Sequence, residues 1–301
     1  MSGGHEKAML SAAGYLLAGQ AADGHWSDYQ LPVGESDAWV TAYVAVALTR
    51  LRVQQAAGVG AAVQAAVRWL IANPAHPAGW GYNAATGPDA DTTAHVLHLL
   101  KAASTPHDVR ADETWLLGMW RPAGGFATYP RDDAWGRPHP DVTPVAFLAL
   151  SEPARRALRP AVVEVLSASR DEFGGWPSYW WRTAHYATLQ AARAIKQDGL
   201  ELAAPAPIVH ESGTRAIYGD FDLACLAGIA AVGGHAAAAG LAAALVSRQM
   251  VDGSWPGSLS LRVTDPECEQ PWLHPLGRLY TDQHGYITTA TALRVLADLD
   301  S

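Results

Sequence analysis

The sequence reads Gln20-Ala-Ala-Asp23-Gly24-His-Trp26 near its start and Gln249-Met-Val-Asp252-Gly253-Ser-Trp255 near its end. Both stretches follow one pattern, Gln-x-x-Asp-Gly-x-Trp, and each comes after an apolar segment of helical character. A pattern that recurs with identical spacing indicates an internal repeat. Asp-Gly favours a tight turn, because glycine adopts a positive φ at low cost. We therefore expect each copy to join two helices of a repeating unit.

Weaker copies of this turn lie between the two strong ones. Each places an aromatic residue beside glycine after a helical stretch: Gly79-Trp80-Gly81-Tyr82, Gly124-Gly125-Phe126 and Gly174-Gly175-Trp176. A polar loop and an apolar stretch follow each turn. A further apolar stretch, from Asp220 to Ile229, has no such turn before it. The period is about 45 to 50 residues, which predicts six helix pairs.

The two helices of each predicted pair differ in polarity. The second helices are apolar nearly all round and should be buried, whereas the first helices carry more charge and should lie outside. Closure into a ring is favoured over an open solenoid, because neither end resembles a polar cap and the strong turn occurs in the first and last repeats. We predict an all-α fold, a single α6/α6 barrel over residues 1–301. The turn Trp should pack over the end of the outer helix, and the Gln should bond to a neighbouring repeat.

The composition excludes several classes of function. The net charge is -8 and no basic patch is visible, which argues against a nucleic-acid partner. No apolar run approaches the ~20 residues of a membrane span, and the N-terminus lacks the apolar segment of a signal peptide. The two cysteines, Cys225 and Cys268, do not suggest a disulfide framework. We predict a cytoplasmic protein, monomeric or homodimeric.

The Gln-x-x-Asp-Gly-x-Trp repeats resemble those of the squalene-hopene and oxidosqualene cyclases. That superfamily includes the class II terpene cyclases and, more distantly, the β subunits of protein prenyltransferases. The resemblance covers essentially the whole chain, as a single α/α toroid, whereas squalene cyclases and class II diterpene cyclases have two such domains. It implies a class II terpene cyclase that acts on an apolar isoprenoid or prenylated substrate and requires no cofactor. The cavity would lie inside the one barrel or at a dimer interface.

The stretch Gly87-Pro-Asp89-Ala-Asp91-Thr92-Thr-Ala94 resembles the Asp-x-Asp-Asp-Thr-Ala motif of class II terpene cyclases. The resemblance implies that Asp89 takes the first position and Asp91 the central one, whose carboxyl protonates an alkene or epoxide. Thr92 replaces the third Asp, which oxidosqualene cyclases also lack. Such an acid must be held neutral away from water, and burial raises a carboxyl pKa. The alternative is that both residues simply begin a helix, because Asp is a favoured N-cap.

The cation formed by protonation needs a dry pocket lined by aromatic faces, which attract it without bonding to it. His139, at the start of the next inner helix, is placed to orient Asp91 as a histidine does in the cyclases; the alternative is a solvated loop residue. The long segment from Asp252 to Tyr280 should cover the barrel mouth, because long loops are often lids. The aromatic residues expected to line the pocket are Trp39, Tyr43, Phe147, Trp180, Trp181, Tyr186, Tyr218, Phe221, Tyr280 and Tyr286.

A second hypothesis is a metal-dependent prenyl transferase or lyase. In protein prenyltransferases the zinc ligands are an Asp, a Cys two residues on and a His about one repeat later. Asp220, Asp222 and His284 fall at these places, with Asp222 at the Cys position. Two carboxylates and an imidazole suit zinc or a harder ion such as magnesium; the alternative is two helix-start acids and a surface histidine. A third hypothesis is a non-catalytic protein that binds an isoprenoid.

Overall fold

The computed structural model describes residues 3–51, 57–75, 78–273 and 277–299, and this part of the chain is mostly helical. Two short antiparallel hairpins, β1–β2 and β3–β4, accompany eleven α-helices in these residues. The elements are α1 (Gly3–Ala18), β1 (Asp28–Leu31), β2 (Gly34–Ser36), α2 (Ala38–Leu48), α3 (Val59–Ala72), α4 (Ala90–Ala102), α5 (Arg110–Leu117), α6 (Thr143–Ala149), α7 (Glu152–Ala168), α8 (His185–Asp198), α9 (Asp220–Val232), α10 (Ala238–Ser247), β3 (Leu259–Val263), β4 (Arg278–Thr281) and α11 (Tyr286–Leu299).

Six largely buried helices occupy the centre of the molecule. Helix α2 packs on α4, α4 on α6, α6 on α8, α8 on α9, α9 on α11, and α11 packs back on α2. The remaining helices, α1, α3, α5, α7 and α10, pack against members of this inner set. Apolar residues cover every side of helices such as α2, since each inner helix has neighbours on several sides.

The pairing of outer and inner helices is incomplete before α9. The structure describes residues 199–219 in full, and there they contain only a short 3₁₀ turn, Gly213–Arg215. Pro205 and Pro207 lie in this segment; proline lacks the N–H donor of a helix and clashes with the preceding turn. The prediction of six complete helix pairs is therefore wrong at this position, where an irregular segment replaces the outer helix.

The aromatic residue of each turn joins an outer helix to the next inner helix. The indole Nε1 of Trp26 donates a hydrogen bond to the carbonyl of Leu16 at 2.7 Å, and its backbone N–H donates to Thr41 Oγ1 on α2 at 2.9 Å. Equivalent pairs of bonds are made by Trp80, Trp176 and Trp255. The expected packing of the turn Trp on its outer helix is confirmed.

The glutamine of each strong turn bonds to a neighbouring outer helix, as expected. Gln20 Nε2 donates to the carbonyl of Ala62 on α3, and Gln249 Nε2 donates to the carbonyl of Ala8 on α1. Gly253 has a φ of 92°, and a Cβ at this position would collide with the backbone of Ser11. Glycine therefore lets α1 approach the last turn closely, so the last repeat is bonded to the first helix.

The inner helices present their N-terminal ends to one side of the molecule, here called the front mouth, and their C-terminal ends to the other, the far mouth. Both hairpins lie at the front mouth, and β3 also pairs with the segment before α8, through a bridge between Leu261 and Trp181. Tyr29 Oη on β1 lies 3.0 Å from Ser260 Oγ on β3. In the described parts of the chain, no helix combines the length and hydropathy that a membrane span needs.

Candidate active site

A cavity of about 310 Å³, here called the front cavity, opens at the front mouth. This volume is within the usual range for small-molecule sites. Residues at or just before the N-terminal ends of the inner helices line it, together with both hairpins. Leu261, Val263 and Tyr280 contribute one wall, so the segment expected to cover the mouth does contact the cavity.

Tryptophan and tyrosine rings make up much of the remaining wall. Trp39 lies 5.9 Å from Trp181, and Trp135 meets Trp180 edge-to-face at 5.4 Å between ring centroids. Tyr129 also packs edge-to-face on Trp180. Aromatic faces carry negative potential and attract cations. A cation formed in this cavity would therefore be surrounded by favourable ring faces.

Four of the aromatic residues predicted to line the pocket do so: Trp39, Trp180, Trp181 and Tyr280. Tyr186 and Phe221 lie behind Trp181 and stack on it, at 4.4 and 4.5 Å between centroids. The remaining predicted residues are absent from the cavity wall. Tyr43 bonds to Thr291, Phe147 belongs to a buried core cluster with residues of α4 and α8, Tyr218 lies beneath Arg182, and Tyr286 packs on Tyr15.

Three aromatic residues of the wall were not predicted. Tyr82 belongs to the weak turn Gly79-Trp80-Gly81-Tyr82, whose aromatic character was the one available signal. Tyr129 and Trp135 lie in the loop after Phe126 and pack on each other at 5.7 Å. The path of the loop brings these side chains to the cavity. The helical repeat pattern in the sequence does not predict that path.

Asp91 lies in the first turn of α4 and faces the front cavity. The side chain of Asp91 is 18% exposed to solvent, but its Oδ1 atom is enclosed and has no hydrogen-bond partner among the described residues. Burial raises the pKa of Asp91 well above its ordinary value, and the charges of Asp89 and Asp141 raise it further. The Trp39 indole partly opposes this rise in the pKa of Asp91. Trp39 Nε1 itself makes no hydrogen bond of normal geometry to any described residue. Burial therefore favours the neutral, protonated form of the Asp91 carboxyl.

Two more carboxyl groups lie close to Asp91. Asp89 caps α4, accepting hydrogen bonds from the Thr92 backbone at 2.7 Å and the Thr92 hydroxyl at 2.8 Å, as the helix-start alternative predicts. Asp141 accepts a hydrogen bond from the backbone N–H of Trp180 at 2.8 Å, and its Oδ1 has no partner within the described ranges. Burial raises the pKa of both carboxyl groups to about 6.

The histidine that approaches Asp91 is His95, one turn further along α4. Its Nε2 lies 3.7 Å from Asp91 Oδ1 and 3.2 Å from the hydroxyl of Tyr186. Burial lowers the pKa of His95 well below its usual value, so the ring is neutral. Because its pKa is so low, His95 is too weak a base to remove the proton of Asp91.

His139 occupies a different place from the one expected. Its Nε2 donates to the carbonyl of Ala134 at 2.9 Å, so its Nδ1 accepts from the hydroxyl of Thr128 at 2.7 Å. Trp180 Nε1 in turn donates to Thr128 Oγ1 at 2.8 Å. Both ring nitrogens are thus engaged, and His139 supports the cavity wall through Thr128 and Trp180. The predicted contact between His139 and Asp91 is absent.

The predicted metal ligands are also engaged elsewhere. Asp220 forms an ion pair with Arg248, whereas Asp222 accepts hydrogen bonds from Thr183 Oγ1 and the Tyr218 backbone. The His284 ring stacks on Tyr286. Across the described residues, no three His, Cys, Asp or Glu side chains gather in a way that could hold a metal ion. The metal hypothesis for Asp220, Asp222 and His284 is therefore corrected: protein partners hold their side chains in place.

The β3–β4 hairpin separates the front cavity from a second cavity of about 340 Å³. Leu261 and Val263 face the front cavity, while Arg262 between them faces the second one, where it is joined by Arg182. On β4, Tyr280 faces the front cavity and its neighbour Leu279 faces the second cavity. Successive side chains of a strand point to opposite faces, which explains the alternation.

Solved structures give a clear likeness to terpene cyclases. The type II terpene cyclase MstE from Scytonema matches with a TM-score of 0.84 and 25% identity, over 98% of this chain and 97% of that chain. A protein from Actinoplanes matches with a TM-score of 0.85 and 26% identity, over 99% and 100% of the two chains. This chain has the fold of the type II terpene cyclases. No protein-family model matches it, and a comparison with characterised sequences finds no match.

Larger and ligand-bound relatives extend this comparison. The ent-copalyl diphosphate synthase from Streptomyces platensis matches with a TM-score of 0.58 and 18% identity, over 88% of this chain but 50% of that chain. MstE variants with an aspartate replaced have been solved with geranylgeranyl dihydroxybenzoate, the substrate, and with merosterolic acid A, the product. The predicted resemblance to class II terpene cyclases is confirmed.

Proposed function

We propose that this chain is a class II terpene cyclase in which Asp91 protonates an alkene or epoxide of a prenylated substrate in the front cavity. The observation that carries the proposal is the Asp91 carboxyl, which opens into a cavity walled by aromatic rings and whose pKa is raised by burial. MstE, of similar fold and length, acts on geranylgeranyl dihydroxybenzoate, so a prenylated aromatic acid is the first substrate class to test.

The architecture of the inner helices supports the proposal. The inner-helix contacts return to their starting point, and the last turn bonds to α1, which we interpret as a closed α/α barrel forming one domain. We propose that the reaction takes place inside this barrel, because the front cavity is lined by residues near the starts of inner helices and by both hairpins.

The reaction begins when Asp91 transfers its proton to the terminal double bond. The π electrons form the new C–H bond, and the opposite carbon becomes cationic. Further double bonds then attack in turn, and the faces of Trp39, Trp180 and Trp181 stabilise the migrating charge. Loss of a proton from the last cation gives a cyclic isomer of the substrate. His95 is placed to orient Asp91, with Tyr186 holding its ring.

Deuterium labelling tests this proposal directly. The protein is incubated in D₂O with geranylgeranyl dihydroxybenzoate or geranylgeranyl diphosphate, and the products are analysed by mass spectrometry. The Asp91 carboxyl exchanges with solvent, so each product molecule should carry one deuterium and otherwise be an isomer of its substrate. Bound but unchanged ligand would instead identify a non-catalytic isoprenoid-binding protein, and a cyclic product without deuterium would exclude Asp91-initiated protonation.

A further inference from the structure

The far mouth carries a group of basic side chains that the proposed cyclisation does not use. Two cavities of about 310 and 380 Å³ open there, and both are lined by Gln197. Among the described residues that line them, Asp298 is the one acidic side chain. The basic residues of this group, here called the far cluster, are Arg50, Lys101, Arg193, Lys196 and Arg294.

The most deeply buried cation of the far cluster lacks hydrogen-bond acceptors. Arg193 is only 2% exposed, and its Nη2 lies 3.3 Å from Asp298 Oδ2. Its Nε and Nη1 have no partner in the described parts of the chain, and neither does Nε of Arg294. An enclosed guanidinium N–H without an acceptor is costly, and folded proteins usually provide one. The described residues therefore leave these N–H donors available to a bound anion.

Electrostatic repulsion within the far cluster is also incompletely balanced. Burial, together with the charges of Arg193 and Arg50, lowers the pKa of Arg294 to about 9, although Asp298 opposes the shift. Like charges held close together at low dielectric repel strongly. A bound polyvalent anion would relieve this repulsion.

The negative ends of the inner helices account for only part of the cluster. Lys101 Nζ donates hydrogen bonds to the carbonyls of Ala149 and Leu150 at the end of α6, so this cation is explained by the helix terminus. Arg193 and Arg294 lie about one turn before the last residues of α8 and α11, and within the described residues they bond to no helix carbonyl. Their charges remain available to an external anion.

We propose that the far cluster binds an anion of the diphosphate class, with the guanidinium groups of Arg193 and Arg294 as its main donors. A guanidinium fork matches pairs of phosphate oxygens, and charge-assisted hydrogen bonds of this kind are strong. Lys196 and Arg50 line the rim and add further positive charge. The shared chemistry is the polyphosphate group, whether free or carried by a nucleotide.

Isothermal titration calorimetry with sodium diphosphate, at constant ionic strength and without isoprenoid, tests this site. The wild-type chain should bind saturably. Arg294→Gln should weaken binding about tenfold or more, since hydrogen bonds to charged groups are worth this much, and Lys196→Gln should weaken it less. Arg68→Gln, the same charge change on an exposed position of α3, is the matched control and should bind like wild type.

Two results would overturn the site: no saturable binding by the wild-type chain, or equal weakening by Arg294→Gln and Arg68→Gln. Lys196 is exposed, so Lys196→Gln carries the test if Arg294→Gln does not fold; unweakened binding by Lys196→Gln would then refute the site. A parallel titration with ATP identifies the source, since tighter binding of ATP than of diphosphate indicates a nucleotide. Because no isoprenoid is present, a negative result leaves the cyclase proposal untouched.

Discussion

The front and far mouths are opposite ends of the same inner helices, yet acidic side chains line the first and mainly basic side chains line the second. Asp89, Asp91 and Asp141 lie at the helix starts, whereas Arg193 and Arg294 lie toward the helix ends. Helix dipoles favour this distribution, because N-termini attract anions and C-termini attract cations. The dipoles alone would therefore predict ionised carboxylates at the front mouth, which is the wrong protonation state for an acid.

Magnitudes show why burial can outweigh the helix dipole at Asp91. A helix N-terminus stabilises a carboxylate by roughly 0.3–1 kcal/mol, and by about 2 kcal/mol at most. Complete burial can shift a carboxyl pKa by as much as ~3–5 units, each worth about 1.4 kcal/mol. Burial therefore outweighs the dipole at Asp91, whose Oδ1 has no hydrogen-bond partner among the described residues. Asp89, with two bonds from Thr92, is less perturbed. Hydrogen bonding, not position in the helix, accounts for the difference in pKa between the proposed acid, Asp91, and the helix cap, Asp89.

The largest expected effect concerns this contrast between acid and cap. Asp91→Asn removes the transferable proton and should reduce turnover by at least ~10²–10⁴-fold, the usual contribution of a general acid. The melting temperature should not fall, because the neutral amide resembles the protonated carboxyl that burial favours. Turnover is measured by product mass spectrometry and folding by circular dichroism.

Asp89→Asn is the matched comparison for that variant. Asparagine is also a good N-cap, so the start of α4 is preserved. Turnover should fall far less than in Asp91→Asn. Equal losses in the two variants would show that the pair acts as one unit and would break the distinction between acid and cap.

The second prediction concerns pH and Asp141. Turnover requires protonated Asp91, so it should be lost as pH rises through the raised pKa of that group. Asp141 has a pKa of about 6 and is charged above that pH, where it raises the pKa of Asp91. Asp141→Asn should therefore move the alkaline limb of the pH–rate profile to lower pH. Asp132→Asn, at an exposed loop position, should leave the limb in place.

The same variant should change stability with a definite sign. Since the folded-state pKa of Asp141 is raised from 3.8 to about 6, the native state binds the proton more tightly, and the stabilising effect of that proton is lost as pH rises through this window. Asp141→Asn should thus raise the free energy of unfolding by about 1–3 kcal/mol at pH 8 and leave it nearly unchanged at pH 4. Urea unfolding at the two pH values checks this; an equal change at both would contradict it.

The smallest expected effect is at the far mouth. Arg294→Gln removes one of several repelling cations, so at low salt it should raise the free energy of unfolding by about 1 kcal/mol or less. Sodium chloride at 0.5 M should shrink the gain, because salt screens the repulsion. Urea unfolding at the two salt concentrations measures both effects. A loss of stability at low salt would mean that Asp298 balances the far cluster more fully than inferred.

Sequence patterns predicted the frame of this molecule well. Trp26 and Gln249 make the contacts expected of them, because their motifs act locally or between adjacent helices. The missing outer helix before α9 was not predicted, since the period was extended through a segment that contains Pro205 and Pro207. The repeat period describes only the average spacing of the helices. The local conformation of one segment depends on its own residues, and two prolines here disfavour a helix.

The site was predicted less completely, for a physical reason. The inner helices are apolar nearly all round, so their patterns do not show which face meets the cavity; Tyr43 and Phe147 lie on other faces. His139 and His95 both lie near the start of an inner helix, and only packing shows that His95 is the one near Asp91. Asp91 itself was identifiable through its resemblance to a known motif, and its catalytic role remains a proposal.

The hairpin between the two cavities makes the polarity of the front cavity depend on the register of β3. Its alternating side chains place Leu261 toward the front cavity and Arg262 away from it. Loss or gain of one residue in β3 would exchange the two faces, because strand side chains repeat every second position. Deletion of a single codon would thus turn Arg262 toward the front cavity and replace an apolar wall with a cationic one. Substrates with anionic head groups would then be favoured, while Asp91 on α4 keeps its position.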